Sequence, residues 1–258
     1  MANVDISREG ELFVVTINRP EVKNAVDGPA AAALVAAFDE FEQDQSLSVA
    51  ILTGAGGEFC AGADLKAIAS EPERALRLST GGPGPMGPTR MQLTKPVLAA
   101  VEGHAVGGGL ELALWCDLRV ASETAVFGVF NRRFGVPLID GGTVRLPRLL
   151  GQGRALDLIL TGRAVAAEEA LEIGLADRLV ETGRALDEAL VLAGHIARFP
   201  QESLRADRVS ALTQWGLSVP EAIRQEFALG VQSVQDGESI EGARRFEEGR
   251  GRHGSFSD

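Results

Sequence analysis

Along the first half of the chain, short apolar runs alternate with amphipathic stretches. Leu12–Ile17 (LFVVTI) is rich in β-branched residues and stops at Asn18-Arg19-Pro20, the pattern of a buried strand and a turn. Residues 29–41 are alanine-rich, with Leu34, Val35, Phe38 and Phe41 at helical spacing. Residues 49–52, ahead of Thr53-Gly54, and the run Val97–Val101 read as further strands. Alternation of strand and helix predicts an α/β class. From Thr143 onward the pattern turns helical, with helices expected over 143–150, 154–161, 167–173 (closed by Gly174), 183–199, 201–215 and 220–235. No Gly/Ser linker interrupts the chain. The chain is therefore not cut into independent domains; the core expected over 1–195 runs on into a helical region over 196–258.

Composition narrows the classes. The chain has 258 residues, enough for one large core, with a formal net charge of −11. That charge argues against nucleic acid or an anionic membrane surface as the main partner, and any polyanionic ligand must be held by local cations. No apolar run reaches the length of a membrane span. The first residues lack the basic start and apolar core of a signal peptide, so a cytoplasmic location is expected. Cys60 and Cys116 are too few for a disulfide framework or a thiolate metal site, and both read as packed thiols. His104, His195 and His253 show no ligand spacing and read as satisfied structural residues. Arg132 and Arg133 read as solvated surface. Gly and Pro crowd residues 79–88, which excludes regular structure; such a loop either borders a pocket or is surface.

The chemistry gathers in residues 105–116, AVGGGLELALWC. Three glycines follow the strand at Val97–Val101 and lead into an apolar helical run. Such a cluster lets backbone N–H groups approach a ligand at a helix N-terminus, where negative charge is favoured. Glu111 is the only charge in that helix, and a buried carboxylate must be paired, hydrogen-bonded or protonated. An anion hole beside a carboxylate in apolar surroundings suits proton transfer next to a carbonyl. The competing readings are close helix–strand packing without a ligand and a structural carboxylate. A dinucleotide fingerprint fails, because its third glycine position is Leu112. A second small-residue segment, GAGGEFCAGADLK over 54–66, follows the strand at 49–52, and N–H donors from two such segments can clamp one oxygen.

Together with INRPEVKNA (17–25), AVEGHAVGGGLELA (100–113), CDLRVA (116–121), GGT (141–143), GR (162–163) and EALEIGLA (169–176), these motifs resemble the crotonase superfamily of enoyl-CoA hydratases and isomerases. The resemblance implies a spiral of ββα repeats with a helical C-terminal oligomerisation region, assembling as a homotrimer or a dimer of trimers. It implies an oxyanion hole from the N–H groups of Ala63 and Gly108, around the carbonyl of a coenzyme A thioester. Ala61, Ala63, Asp64, Leu65 and Lys66 are expected to line the coenzyme A site, with Lys23 as a second nearby cation. No cofactor is implied beyond the coenzyme A of the substrate. Glu111 matches the first of two hydratase glutamates. The second falls at Asn131, which hydrogen-bonds but exchanges no proton near neutral pH. Asp140 stands where the hydratases carry a small residue and some isomerases an aspartate, so Glu111 and Asp140 are the expected catalytic pair. An Asp ahead of Gly-Gly and a helix is also an ordinary cap or turn residue. The expected activity is that of an acyl-CoA hydratase in fatty-acid or related metabolism. Double-bond isomerisation and non-catalytic acyl-CoA binding are the alternatives.

Overall fold

A computed structural model describes residues 3–251. The chain divides between Gly194 and His195 into two compact units. The first is built on a six-stranded sheet: β1 (Val4–Glu9), β2 (Leu12–Ile17), β3 (Val49–Gly54), β4 (Val97–Val101), β6 (Leu118–Ser122) and β9 (Arg178–Val180), in that spatial order. Only the β1–β2 pair is antiparallel; the others run parallel, in register Val14 with Ile51, Ile51 with Leu98 and Leu98 with Leu118. Strands β3 and β4 are apolar almost throughout because both faces are covered. A second, three-stranded sheet contains β5 (His104–Val106), β7 (Val126–Gly128) and β8 (Ala164–Ala166).

The two sheets are linked by a repeated path. Strand β4 lies in the large sheet, β5 in the small one, and α3 (Gly108–Trp115) follows; β6 and β7 then repeat the step before α4 (Gly142–Leu150). Each turn gives one strand to each sheet and one helix outside, a ββα spiral. The corner between β4 and β5 is Gly103, at φ +54°, whose carbonyl accepts from the Val126 N–H and so ties one turn to the next.

Helix α1 (Gly28–Gln43) starts where Asp27 accepts from the Ala30 N–H, and buries Leu34, Phe38 and Phe41 against the large sheet's core. Phe41 stacks on Phe13, and Phe38 meets Trp115 edge-on. Helices α2 (Leu65–Ser70), α5 (Gln152–Thr161), α6 (Ala167–Glu172) and α7 (Ala185–Ala197) complete this part of the chain, α7 running across the division. The second unit carries α8 (Gln201–Thr213), α9 (Val219–Gln235) and α10 (Glu238–Glu247). Helix α9 opens on a reciprocal capping box between Ser218 and Glu221.

Every helix and strand expected above is present, with ends shifted by a residue or two. The helix expected over 183–199 spans Ala185–Ala197, and the one over 201–215 ends at Thr213 in a 3₁₀ turn, Gln214–Gly216. The Gly/Pro-rich segment departs further. Residues 81–83 are exposed, but 84–89 are all buried and lead into a 3₁₀ turn, Pro88–Arg90. Half of that loop is core. Among the described residues no helix is long and apolar enough to cross a membrane.

Candidate active site

The three consecutive glycines do three different jobs. Gly107 sits at φ +57°, ψ −124°, a conformation open to glycine, and turns the chain from β5 into α3. Gly109 lets α3 press on the Cys60 segment, since a Cβ there would lie 2.0 Å from the Cys60 carbonyl oxygen. Gly108, between them, begins the helix. Its N–H has no acceptor one turn back, and none is found among the described residues. A Cβ on Gly108 would meet Met86 Sδ at 2.6 Å, so Met86 packs directly against this glycine.

Residues 60–64 run beside that turn. Cys60 bridges Ala105 and Ala63 bridges Val26. In the second bridge the bonds are Val26 N–H to the Gly62 carbonyl and Asp64 N–H to the Val26 carbonyl. The N–H of Ala63 therefore points the other way, and no acceptor for it is found among the described residues. Gly62, at φ +97°, has its would-be Cβ 3.0 Å from the Gly108 nitrogen. The two expected donor segments are thus in contact, each with an N–H not consumed by the fold.

Glu111, one turn into α3, is 2% exposed. Its Oε1 accepts from the N–H groups of Asp140 and Gly142, both at 2.8 Å. Gly142 comes this close because it has no side chain; a Cβ would lie 3.0 Å from Oε1. Oε2 carries no hydrogen bond among the described residues. Burial pushes the carboxyl up to about 7, against the pull of the Gly142 N–H, and the neighbouring Asp140 charge adds to the rise. A carboxyl with one oxygen fixed and the other open, titrating near neutrality, is suited to take up and return a proton.

Asp140, also buried, faces the opposite way. Its Oδ1 accepts from the Met86 N–H at 2.9 Å and from the Thr89 hydroxyl. Burial raises its pKa, opposed by those two donors. Asn131 donates from Nδ2 to the Val136 carbonyl at 2.7 Å, while its buried Oδ1 has no partner. That oxygen lies 3.5 Å from where a Cβ on Gly107 would stand. The amide's polarity is set by its own bond, because only the NH₂ side can serve a carbonyl.

Of the segment expected to hold coenzyme A, Leu65 and Lys66 are exposed and Ala61 half-buried. Asp64 turns inward: Oδ1 caps α2 through the Lys66 and Ala67 N–H groups, and Oδ2 pairs with buried Arg19 at 2.9 Å. Burial pushes its pKa up, but the helix donors and Arg19 outweigh that and hold it below the usual range. Lys23 is exposed and paired with Glu58 at 2.7 Å, which leaves Lys66 as the less committed cation. Arg132 and Arg133 are exposed, and Arg133 lies over the Phe130 ring. Cys60 and Cys116 are buried thiols, and burial pushes Cys60 up to about 12. His104 is held by Glu58 at 2.8 Å; His253 lies outside the described residues. Among the described residues no three His, Cys, Asp or Glu side chains stand together as metal ligands.

One participant has no signal in the sequence: Arg145, on α4, donates to the Asp140 carbonyl at 2.8 Å and to the Thr89 carbonyl at 2.7 Å. An arginine between Val144 and Leu146 looks like any solvent-facing helix position until the loop it reaches is placed.

Residues 7–255 match the family model described as enoyl-CoA hydratase/isomerase. The chain belongs to this family, within the crotonase superfamily. It is 36% identical to enoyl-CoA hydratase EchA19 of Mycobacterium tuberculosis, over 95% of this chain and 93% of that protein. It is 38% identical to the mevalonyl-coenzyme A hydratase SIDH of Beauveria bassiana, over 96% and 93%. The crystal structure of enoyl-CoA hydratase EchA1 from Mycobacterium marinum superposes with a TM-score of 0.91 at 36% identity, covering 97% of both chains. The ββα spiral described above is the crotonase fold, and the α/β class expected from the sequence is the one observed.

Proposed function

We propose that this crotonase-family member is a hydratase-type lyase acting on acyl-CoA thioesters, with no cofactor beyond the coenzyme A of its substrate. The observation that carries the reading is Glu111, with Oε1 fixed by two N–H groups and Oε2 open. It stands one turn from a glycine whose N–H is not used by the fold. The Ala63 and Gly108 N–H groups receive the thioester oxygen as it becomes an enolate. Two such donors supply roughly 3–4 kcal/mol each at an oxyanion. Glu111 as carboxylate takes a proton from water while the oxygen bonds to Cβ, and then returns a proton to Cα of the enolate. One water is consumed and the carboxylate is regenerated.

Asn131 favours hydration over double-bond isomerisation. Its Oδ1 is a buried acceptor without a donor, fixed in polarity by the bond from Nδ2 to Val136. A water molecule or a β-hydroxyl supplies that donor; an isomerase substrate, a plain alkene, does not. Ala61, Leu65 and Lys66, with Lys23 nearby, form the segment assigned to coenzyme A, and Asp64 holds that segment in shape by capping α2. Activity within fatty-acid or related acyl-CoA metabolism, in the cytoplasm, completes the reading. On α9, Val219, Ile223 and Phe227 form a row at i, i+4, i+8 that is 72%, 59% and 72% exposed in the single chain, an apolar face that supports self-association, with the homotrimer or dimer of trimers taken from the family resemblance.

The test is a panel of 2-enoyl-CoA thioesters, followed by loss of conjugated absorbance with products identified by mass. Addition of one water is expected. A product of unchanged mass with a moved double bond would make the protein an isomerase. Saturable binding without turnover on the whole panel would make it an acyl-CoA-binding protein.

A further inference from the structure

The sequence pairs Asp140 with Glu111 as a second proton carrier, but the contacts of Asp140 describe another job. Its backbone N–H holds Glu111 Oε1 at 2.8 Å, while its side chain points to the Gly/Pro-rich loop and takes the Met86 N–H and the Thr89 hydroxyl. Arg145 closes the same circuit, one guanidinium nitrogen on the Asp140 carbonyl and another on the Thr89 carbonyl. The loop so held carries Met86, which is 1% exposed and packs on Gly108. On its other side the loop lies against α1, where a Cβ on Gly87 would be 2.8 Å from the Ala31 carbonyl oxygen.

We propose that Asp140 and Arg145 are positioning residues: together they strap the loop 84–90 over the Gly108 donor and, through the same residue, orient Glu111. This rests on the proposed roles of Gly108 and Glu111. The physical case is one of placement. Both donors on Asp140 Oδ1 belong to the loop, and it is the backbone of Asp140, not its carboxylate, that meets Glu111. Arg145 bridges two carbonyls from separate segments with two different nitrogens of one rigid guanidinium, a spacing that lysine's single ammonium nitrogen does not reproduce. A shift of about 1 Å in a donor or a base costs on the order of 100-fold in rate, so a strap touching both has leverage over turnover without meeting the substrate.

The test compares Asp140→Asn, Asp140→Ala, Thr89→Val, Arg145→Lys and the double variant Asp140→Ala with Thr89→Val. The readouts are kcat, KM, the pH–rate profile, and hydrogen exchange of the amides in residues 84–90. A strap predicts that Asp140→Asn, which keeps an acceptor oxygen, stays close to the parent with the same pH profile. Asp140→Ala and Arg145→Lys are expected to lose ~100-fold in kcat with a smaller change in KM. Both should speed exchange at the Met86 amide. The double variant is expected to lose no more than Asp140→Ala alone, since both changes cut one connection. An inactive Asp140→Asn, or loss of an ionisation from the pH profile, overturns the proposal in favour of a proton carrier. Parent-like rates and exchange in Asp140→Ala and Arg145→Lys overturn it outright. If the parent protein turns over no thioester, the functional reading fails on its own, and the exchange measurement still decides whether the strap exists.

Discussion

Two junctions in this molecule start from the same material, a strand followed by glycines and small residues and then a helix, and end differently. After β3 the chain reaches α2, where Asp64 closes the helix start: its carboxylate takes the Lys66 and Ala67 N–H groups and pairs with Arg19. After β5 the chain reaches α3, where Gly107 offers no capping side chain and the first N–H stays unclaimed. A helix start carries several N–H groups without internal acceptors. Where a side chain meets them the helix start is structure, and the donor left at that junction, the Ala63 N–H, lies ahead of the cap; where none does, the helix start itself is available for chemistry. The sequence marks both as glycine-rich, and only the presence or absence of a capping carboxylate separates them.

The comparison breaks most visibly at Glu111, on the open junction. Glu111→Gln is expected to lower turnover by about 10³-fold with acyl-CoA binding retained, measured on the best thioester of the panel. In the parent, activity rises with pH through about 7, because the reacting form is the carboxylate. Stability runs the opposite way. Folded Glu111 keeps its proton up to about 7 and the unfolded chain releases it near 4.5, so the parent loses up to ~3 kcal/mol relative to Glu111→Gln as pH rises between those values. Denaturation of both proteins at pH near 5 and near 8 checks the sign; a parent that gains stability relative to Glu111→Gln between the two contradicts it.

Next in size is the N–H itself. Gly108→Pro removes the donor and is expected to cost about 10²–10³-fold in kcat. It also drives a side chain toward Met86, so Gly108→Ala and Gly108→Ala with Met86→Ala are measured alongside. If the second change restores Gly108→Ala but the same relief leaves Gly108→Pro inactive, the lost N–H and not the added bulk is responsible.

The closed junction should respond in stability. Asp64→Ala uncaps α2 and leaves buried Arg19 with Asp27 as its remaining carboxylate, an expected loss of about 3–5 kcal/mol in denaturant unfolding. A variant that stays fully stable but loses activity would erase the contrast between the two junctions.

The smallest effect lies at the surface. Lys66→Ala is expected to raise KM a few-fold at low salt and less at high salt, with Lys23→Ala weaker still, since Glu58 already neutralises Lys23. Titration of free coenzyme A at two ionic strengths tests the ranking, and an equal or larger response at Lys23 would overturn it.

Much of this was legible in the order of residues. Long apolar runs such as Leu12–Ile17 and Val97–Val101 fixed strands because their burial needs no information from elsewhere. Helix α1 showed in its spacing and α6 in its closing Gly174. The strands β5, β7 and β8 did not show, since three residues are too few to display a period. Strand β1 is an exposed edge and helix α10 lacks buried residues, so neither carries a strong apolar pattern. In the site, Glu111 stood out as one charge in an apolar helix, and the glycine run announced a close approach.

By itself, then, the sequence determined the class of fold, the glycine turn and the carboxylate behind it, because those are local properties of composition and period. Tertiary structure decided what each group faces. Asp140 reads locally as cap, turn or catalyst, and only folding sets its backbone on Glu111 and its side chain on a loop more than 50 residues earlier. Arg145 and Thr89 enter for the same reason. Their partners are carbonyls and hydroxyls on distant segments, groups that every sequence contains and no spacing singles out.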